Sequence, residues 1–264
     1  MLRQRVLTGL VGAIIYLSFL YLGGDWYTGL LFLLASIGFF EYARMKQVSL
    51  WSLEGLVGLF LTWYNFSPAA WREMLPFSLD TEKVFLGAIL LWMLIMVLKK
   101  NQVHIDTVSY LFFGTIYIGF GFHYIAEARY LTDGFIITIM VILTIWASDI
   151  FAYFVGRAWG KHKLWPAISP KKTIEGSVGG MTGSVVILMM VVAITSISMT
   201  IVQQIALGIL ISVSGQLGDL MESALKRHVG VKDSGRLLPG HGGILDRCDS
   251  WLVAFPVLFL FQLL

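Results

Sequence analysis

The sequence predicts an all-α membrane protein with about nine transmembrane helices and a cytoplasmic N-terminus. Of its 264 residues, 57% are hydrophobic and 13% are charged, whereas about 25% of the residues in a soluble domain are charged. A chain of this composition has too little polar surface to face water on all sides. Apolar runs also recur along the whole length, and several approach the roughly 20 residues that a membrane span needs.

The predicted spans are apolar runs bounded by charged or turn residues. They are 5–22, 27–43, 51–66, 84–98, 107–125, 134–156, 177–197, 200–221 and 250–264. The run 51–66 is short and contains Glu54, which we leave out of the candidate site. The first run follows two arginines, as in a signal peptide, but we see no small-residue cleavage pattern after it and interpret it as the first helix.

The basic residues predict the orientation, because cytoplasmic loops retain an excess of lysine and arginine. With the N-terminus in the cytoplasm, 16 of the 19 basic residues fall in inside segments. Only Arg72, Lys83 and Arg129 fall outside. The two longest polar segments, 157–176 and 223–250, then face the cytoplasm, and the C-terminus lies on the opposite side.

The domain organisation follows from where the polar residues lie. Residues 1–130 form N-terminal transmembrane helices without a motif, and residues 131–264 form a C-terminal catalytic region that contains both cytoplasmic loops. No room is left for a soluble domain. The single cysteine, Cys248, excludes a disulfide framework and a cysteine-rich zinc site.

Three aspartates bracket the polar segment 223–250. Asp219 lies late in an otherwise apolar span, while Asp246 and Asp249 are predicted to open the last helix, three residues apart and on one face. Two helices would then direct carboxylates at one point, as proteins do to hold Mg²⁺. Helix capping is the alternative for Asp246 and Asp249, but it does not fit Asp219, because an acid inside a span is costly and favours a functional interpretation.

Glycines and a proline in Leu238-Pro-Gly-His-Gly-Gly243 predict a turn with little side-chain bulk. Such a turn lets main-chain N–H groups approach phosphates closely, although a plain re-entrant turn is an equal alternative. His241 has no second histidine at metal-binding spacing. It is therefore interpreted as a phosphate donor or a structural residue rather than a zinc ligand.

The loop 157–176 is strongly basic. Its end, Ser169-Pro-Lys-Lys-Thr173, is predicted to combine a proline turn, two lysines and a helix start, which suits a triphosphate. Lys161 and Lys163 are explained as well by attraction to anionic lipid heads. The glycines that follow, at positions 176, 179, 180 and 183, are more typical of helix packing than of substrate contact.

Asp149 is a lone acid within the sixth span. Such an acid is expected to face the protein interior or a wet cavity rather than lipid. A structural partner such as a lysine is the alternative interpretation.

Two blocks in the C-terminal half combine these residues in a fixed order. The second block contains Ser223-x-x-Lys226-Arg227, Lys232-Asp233, Pro239-x-His241-Gly242-Gly243 and Asp246-Arg247-x-Asp249-Ser250. The first contains Asp149-x-x-Ala152-Tyr153-x-x-Gly156-Arg157 and Ser169-Pro170-Lys171-Lys172-Thr173-x-Glu175-Gly176. Both blocks resemble the phosphatidate cytidylyltransferases (CDP-diacylglycerol synthases), and together they cover about a quarter of the chain.

The resemblance implies that CTP and phosphatidic acid react to give CDP-diacylglycerol and pyrophosphate. It implies Mg²⁺ as the cofactor, held by Asp219, Asp246 and Asp249, with a second cation left open. The residues implied to act at the reacting groups are these aspartates with Lys226, Arg227 and His241. Those implied to bind substrate are Ser169, Lys171, Lys172, Thr173, Ser223, Lys232, Gly242, Gly243, Arg247 and Asp149.

The expected partners are CTP, phosphatidic acid and the lipid bilayer, with no nucleic acid, and a homodimer is left open. The implied location is a bacterial-type inner membrane, with the active site on its cytoplasmic side. A transporter would also place acids within spans, but we see no inverted repeat. A CDP-alcohol phosphotransferase would share the type of substrate and metal, but its D-G-x-x-A-R run is absent from the sequence.

Overall fold

A computed structural model describes residues 2–68, 71–72, 80–195 and 197–264, with the backbone alone for 2–6. Residue 196, within the predicted span 177–197, lies outside the described residues. The elements are α1 (Leu2–Leu22), α2 (Gly24–Met45), α3 (Leu53–Phe66), α4 (Thr81–Leu98), α5 (Ile105–Tyr130), α6 (Gly134–Trp159), β1 (Lys163–Trp165), β2 (Ser169–Thr173), α7 (Ile174–Ile194), α8 (Ile201–His228), α9 (Leu245–Cys248) and α10 (Trp251–Leu260).

Each of the predicted spans overlaps one of these helices. Within the described residues, six helices are long and apolar enough to cross a membrane, namely α2, α4, α5, α6, α7 and α8. The protein is therefore a helical integral membrane protein. The count of nine spans and the cytoplasmic N-terminus stay predictions.

A small β-hairpin interrupts the helices between α6 and α7. Strands β1 and β2 pair antiparallel, with Lys163 opposite Thr173 and Trp165 opposite Ser169. The expectation that Ser169-Pro170 forms a turn is wrong, since both residues lie in β2. Pro170 is tolerated there because both strands of a two-stranded sheet are edges, where a missing N–H need not remove a ladder bond.

The start of α7 joins the hairpin directly to the helices. Thr173 is the N-cap of α7, and its hydroxyl oxygen accepts the N–H of Gly176 at 3.1 Å. Such a bond satisfies one of the main-chain donors that a helix start leaves open. The predicted helix start at Thr173 is confirmed.

Glycines let α7 pack closely on α6. A methyl group at Gly179 would clash with Val155, and one at Gly183 would clash with Phe151. The backbone of Gly176 likewise lies against Gly156. The interpretation of these glycines as helix-packing residues is confirmed, because only a residue without a side chain permits this separation of the two helices.

The last helix is shorter than expected. Asp246 lies in the separate helix α9, and Asp249 lies between α9 and α10, so the prediction that both acids open the last helix is wrong. The carboxylate of Asp249 accepts the N–H of Ser250 at 2.8 Å. A local side-chain bond of this kind competes with a continuous helix.

The chain forms two compact units. The first comprises Met1–Glu127 and Asp233–Asp246, and the second comprises Ala128–Lys232 and Arg247–Leu264. In the first unit α2 packs against α1 and α3, and in the second α8 packs against α6, α7 and α10. The boundary at residue 130 that the motifs suggest stays a prediction.

Glu54 has a structural partner in the first unit. Its carboxylate forms an ion pair with Lys99 at 2.7 Å, and its main-chain oxygen accepts the indole N–H of Trp92 at 3.0 Å. These bonds join α3 to α4, so the burial of Glu54 follows from helix packing.

Candidate active site

A cavity of about 390 Å³ whose lining includes charged side chains lies in the second unit, between α6, the β-hairpin, α7 and α8. Five predicted site residues line it, and they include both the lone acid of the sixth span and the lysine pair. The lining residues are Asp149, Ala152, Tyr153, Gly156, Arg157, Leu164, Lys171, Lys172, Thr173, Gly176, Ser177, Gln216 and Asp219. The prediction that Asp149 faces a cavity is confirmed.

Strand β2 carries both lysines to the cavity wall. The ammonium of Lys172 lies 2.7 Å from a carboxylate oxygen of Asp219 and also donates to the main-chain oxygen of Gln216 at 3.5 Å. Lys171 is exposed. Ser169 begins β2, at the opposite end from Thr173. The strand therefore presents one lysine that is already paired and one that is open to solvent.

Gln216 is a residue that the sequence analysis missed. Its amide nitrogen lies 3.2 Å from the main-chain oxygen of Ser177 and 3.0 and 3.3 Å from the hydroxyls of Ser212 and Ser148. Its amide oxygen accepts the hydroxyl of Ser177 at 2.6 Å. One buried side chain thus connects α6, α7 and α8 beside the cavity. An amide within an otherwise apolar span, three residues before Asp219, is the signal that marks it.

A group of carboxylates lies in the C-terminal part of α8 and beside it. Asp219 accepts the hydroxyl of Ser223, one turn further along α8, at 3.3 Å. Glu222 is 1% exposed and forms an ion pair with Lys226 at 2.7 Å. The sequence analysis did not assign Glu222 to the site.

Asp249 lies next to these acids. A side chain at Gly218 would clash with the main chain of Asp249 and Ser250, so this glycine brings α8 against them. Burial raises the pKa of the Asp249 carboxyl well above its usual value, and the negative charges of Glu222 and Asp219 raise it further. A cation placed among these carboxylates would offset their repulsion.

The chemistry of these donors fits a hard cation. In the part of the chain that the structure describes, no three His, Cys, Asp or Glu side chains are grouped as a ready metal centre. Magnesium typically binds one or two carboxylates and completes its shell with water and substrate phosphates. The carboxylate oxygens of Asp219 and Asp249 are of the chemical type that such a site uses.

Asp246 holds a loop together in the first unit. One of its carboxylate oxygens accepts the N–H of Ser234 at 3.0 Å, the hydroxyl of Ser234 at 2.9 Å and the N–H of Gly243 at 2.8 Å. A carboxylate that accepts several N–H groups is strongly oriented. Ser234 is a second residue that the sequence analysis missed.

The predicted glycine turn precedes Asp246. The N–H of Leu238 donates to the oxygen of Gly242, and the N–H of His241 donates to the oxygen of Leu238, both at 2.9 Å. Gly240 and Gly242 have φ values of 79° and 87°, a region that favours glycine. The turn is therefore confirmed, and its glycines are required by its backbone shape.

His241 lies against α1. A methyl group at Gly9 would come within 3.5 Å of the His241 ring. Among the described residues, no hydrogen-bond partner of its buried Nδ1 atom is found. The position leaves both interpretations of this histidine open.

Comparison with known proteins identifies the family. A model of the cytidylyltransferase family matches residues 3–264. The phosphatidate cytidylyltransferase of Bacillus subtilis is 41% identical over 259 residues, which covers 98% of this chain and 96% of the relative. That of Staphylococcus haemolyticus is 36% identical over 260 residues, covering 97% of each chain. The chain belongs to the cytidylyltransferase family. It is an enzyme, a nucleotidyltransferase.

The remaining basic residues of this cytidylyltransferase differ in their surroundings. Lys226 is buried beside Glu222, and Arg227 donates to the main-chain oxygen of Val231 at 2.9 Å. Lys232 and Arg247 are exposed, and the charge of Arg247 acts on Asp149. The basic residues predicted from the sequence therefore divide into buried, structurally bonded and exposed groups.

Replacing Gln216 tests the polar connection in this cytidylyltransferase. Gln216→Met is expected to lower the free energy of unfolding by about 1–3 kcal/mol, because the buried hydroxyls of Ser148 and Ser212 and the partly buried polar groups of Ser177 lose a partner. Gln204→Met is the matched control, since Gln204 makes one bond, to the main-chain oxygen of Met199, near the start of the same helix. Denaturation in detergent measures the free energy of unfolding of both variants. Equal decreases would contradict the assignment of Gln216 as a connection between three helices.

Proposed function

We propose that this enzyme transfers CMP from CTP to phosphatidic acid, giving CDP-diacylglycerol and pyrophosphate, with Mg²⁺ as its cofactor. The observation that carries the proposal is the cavity in which Lys171 and Lys172 lie opposite Asp149 and Asp219. The choice of substrates rests on the relatives named phosphatidate cytidylyltransferase, which match nearly the whole chain.

The reaction requires a phosphate oxygen of phosphatidic acid to attack the α-phosphorus of CTP. A new P–O bond forms there, the bond from the α-phosphorus to the bridging oxygen of the β-phosphate breaks, and pyrophosphate leaves. Phosphatidic acid is already ionised near pH 7, so little base catalysis is needed. The protein must instead align two polyanions and stabilise their charge.

The residues of the second unit suit that task. Asp219 and Asp249 would hold Mg²⁺, and the chemistry that the ion would supply is neutralisation of phosphate charge. Lys171 and Lys172 supply positive charge to the triphosphate, and both lysines line the cavity. Lys226, Arg227 and Lys232 are proposed to act on phosphates as well.

Residues of the segment 233–246, in the first unit, are also proposed to act on the substrates. His241, Gly242 and Gly243 are assigned to substrate phosphate or to the leaving group, because the turn combines small residues with main-chain donors. Asp246 is proposed as a further magnesium ligand. Three donors hold one of its oxygens, which would pre-orient the carboxylate.

Neutralising the aspartates tests the magnesium assignment. In purified protein with CTP, Mg²⁺ and phosphatidic acid, Asp219→Asn and Asp246→Asn are expected to lower turnover by at least about 100-fold, since ligands of the charge-stabilising ion are lost. Asp219 and Lys172 are partly exposed, so Asp219→Asn should change the free energy of unfolding by only about 0–1 kcal/mol.

The control for both aspartate variants is Asp80→Asn. Asp80 forms an ion pair with Lys83 on an exposed surface, and this variant should keep full turnover. Omitting CTP, Mg²⁺ or phosphatidic acid should abolish product formation by the unaltered enzyme. Substantial activity in either aspartate variant would remove that residue from the metal site.

Replacing the lysines of the hairpin tests whether they bind the nucleotide. Lys171→Ala and Lys172→Ala are expected to lower kcat/KM for CTP by about 10- to 100-fold, because each loses charge-assisted bonds to phosphate. Lys161→Ala and Lys163→Ala are the matched controls. Steady-state kinetics in neutral detergent compare the four variants, and small, equal effects would instead assign this loop to lipid attraction.

The membrane orientation is proposed from the charge pattern: an inner membrane, with loops 157–176 and 223–250 in the cytoplasm. In a Cys248→Ser background, Trp165→Cys should react with an impermeant thiol reagent only after cells are permeabilised. Thr132→Cys, between α5 and α6, should react in intact cells. Both residues are exposed, so the reverse pattern would overturn the orientation.

A further inference from the structure

Glu41 is a buried acid on α2 that the reaction chemistry above does not use. It is 3% exposed. One of its carboxylate oxygens accepts the N–H of Leu245 at 3.1 Å and lies 3.3 Å from the hydroxyl of Ser234. A carboxylate in a membrane span is costly and favours a functional interpretation. Its partners here both belong to the segment 233–246.

The backbone of this segment is shaped around the Glu41 side chain. A methyl group at Gly235 would clash with one carboxylate oxygen of Glu41, and one at Gly243 would clash with the other. Nearly one turn earlier on α2, a methyl group at Gly38 would lie 3.1 Å from the side chain of Leu245. Helix α2 thus packs closely against the segment 233–246, and the Glu41 carboxylate is the hydrogen-bond acceptor in this contact.

Glu41 and Asp246 share their partners. The hydroxyl of Ser234 lies 2.9 Å from a carboxylate oxygen of Asp246 and 3.3 Å from one of Glu41. The N–H of Gly243 donates to Asp246 at 2.8 Å, while its α-carbon packs against Glu41. A displacement of Glu41 would therefore disturb the groups that orient Asp246.

Glu54, a second buried acid among the described residues of the first unit, is bonded differently. It pairs with Lys99, whereas no lysine or arginine of the described residues forms an ion pair with Glu41. Glu41 instead accepts a main-chain N–H. That contact fixes the position of a backbone, which an ion pair between two flexible side chains does less well.

We propose that Glu41 is a positioning residue: it fixes segment 233–246, and through Ser234 the carboxylate of Asp246, in the geometry that the reaction needs. The activity measurements that test this role rest on the proposed function. The proposal also gives the N-terminal helices a role, because α2 supplies the acceptor to which the motif segment is bonded. Glu41 does not line the nucleotide cavity, so it acts through the segment rather than on CTP.

The test compares Glu41→Met, which keeps the side-chain length but removes the acceptor, with Glu41→Gln, whose amide oxygen still accepts from Leu245. Glu54→Met is the matched control for loss of a buried acid. Each full-length variant is purified in detergent. Turnover, KM for CTP, thermal unfolding and amide hydrogen exchange of residues 233–246 and 53–66 are then measured.

Glu41→Met is expected to lower kcat by about 10- to 100-fold, the size found when a group that orients a functional ligand is lost. KM for CTP should change little, and exchange should quicken in 233–246 but not in 53–66. Glu41→Gln should recover most of the activity. Glu54→Met should lower stability while keeping kcat.

Three results would overturn the proposal: equal kcat values in folded Glu41→Met and Glu54→Met, exchange that quickens equally in both segments, or Glu41→Gln as inactive as Glu41→Met. Ser234→Ala, which removes only the shared hydroxyl, gives the same comparison should Glu41→Met fail to fold. An unaltered protein that makes no CDP-diacylglycerol would refute the proposed function, while the exchange measurements would still decide whether Glu41 holds the segment.

Discussion

The ion pair between Lys172 and Asp219, at 2.7 Å, connects the β-hairpin to α8. Both side chains line the cavity, so this contact sets where the lysine and the carboxylate lie in its wall. Glu175 supports the same arrangement from α7, since it accepts the N–H groups of Lys161 and His162 and pairs with the His162 ring at 2.6 Å. Lys172 and Glu175 both lie beside the start of α7, so the two contacts hold the same end of that helix.

Burying carboxylates in a membrane protein requires compensation, and this chain uses two kinds. Asp219, Glu222 and Glu54 each pair with a lysine. Glu41 and Asp246 instead accept main-chain N–H groups. An ion pair balances charge, whereas an N–H contact also fixes the position of a backbone. The second kind of bond occurs in the segment 233–246. Most of this segment lies outside helices and strands, so contacts with other residues must fix its backbone.

Local sequence patterns predicted the helices and much of the candidate site. The apolar runs marked the helices because the bilayer imposes a length and a composition on each span. Asp149, Lys171, Lys172, Thr173 and Asp219 were identified because charges and a cap stand out against apolar sequence, and all of them line one cavity.

Features that depend on distant contacts were not predicted. The hairpin was mistaken for a turn because Pro170 is usually read as a break, and its pairing with β1 is not visible locally. Gln216 acts through three helices, and Glu41 bonds to Leu245, which lies 204 residues away. A single sequence shows whether a residue belongs in lipid or in water better than it shows which distant residue it contacts. The roles of Gln216 and Glu41 therefore became visible only in the structure.

Photo-crosslinking of a light-activated CTP analogue, mapped by mass spectrometry, tests most directly whether the cavity of the second unit binds the nucleotide. The account predicts crosslinks within 149–157, 171–177 and 216–219, lost when excess CTP competes. An apolar groove lined by residues of α3 and α4 serves as the internal comparison. Crosslinks in that groove, or none in the three segments, would contradict the assignment of the cavity.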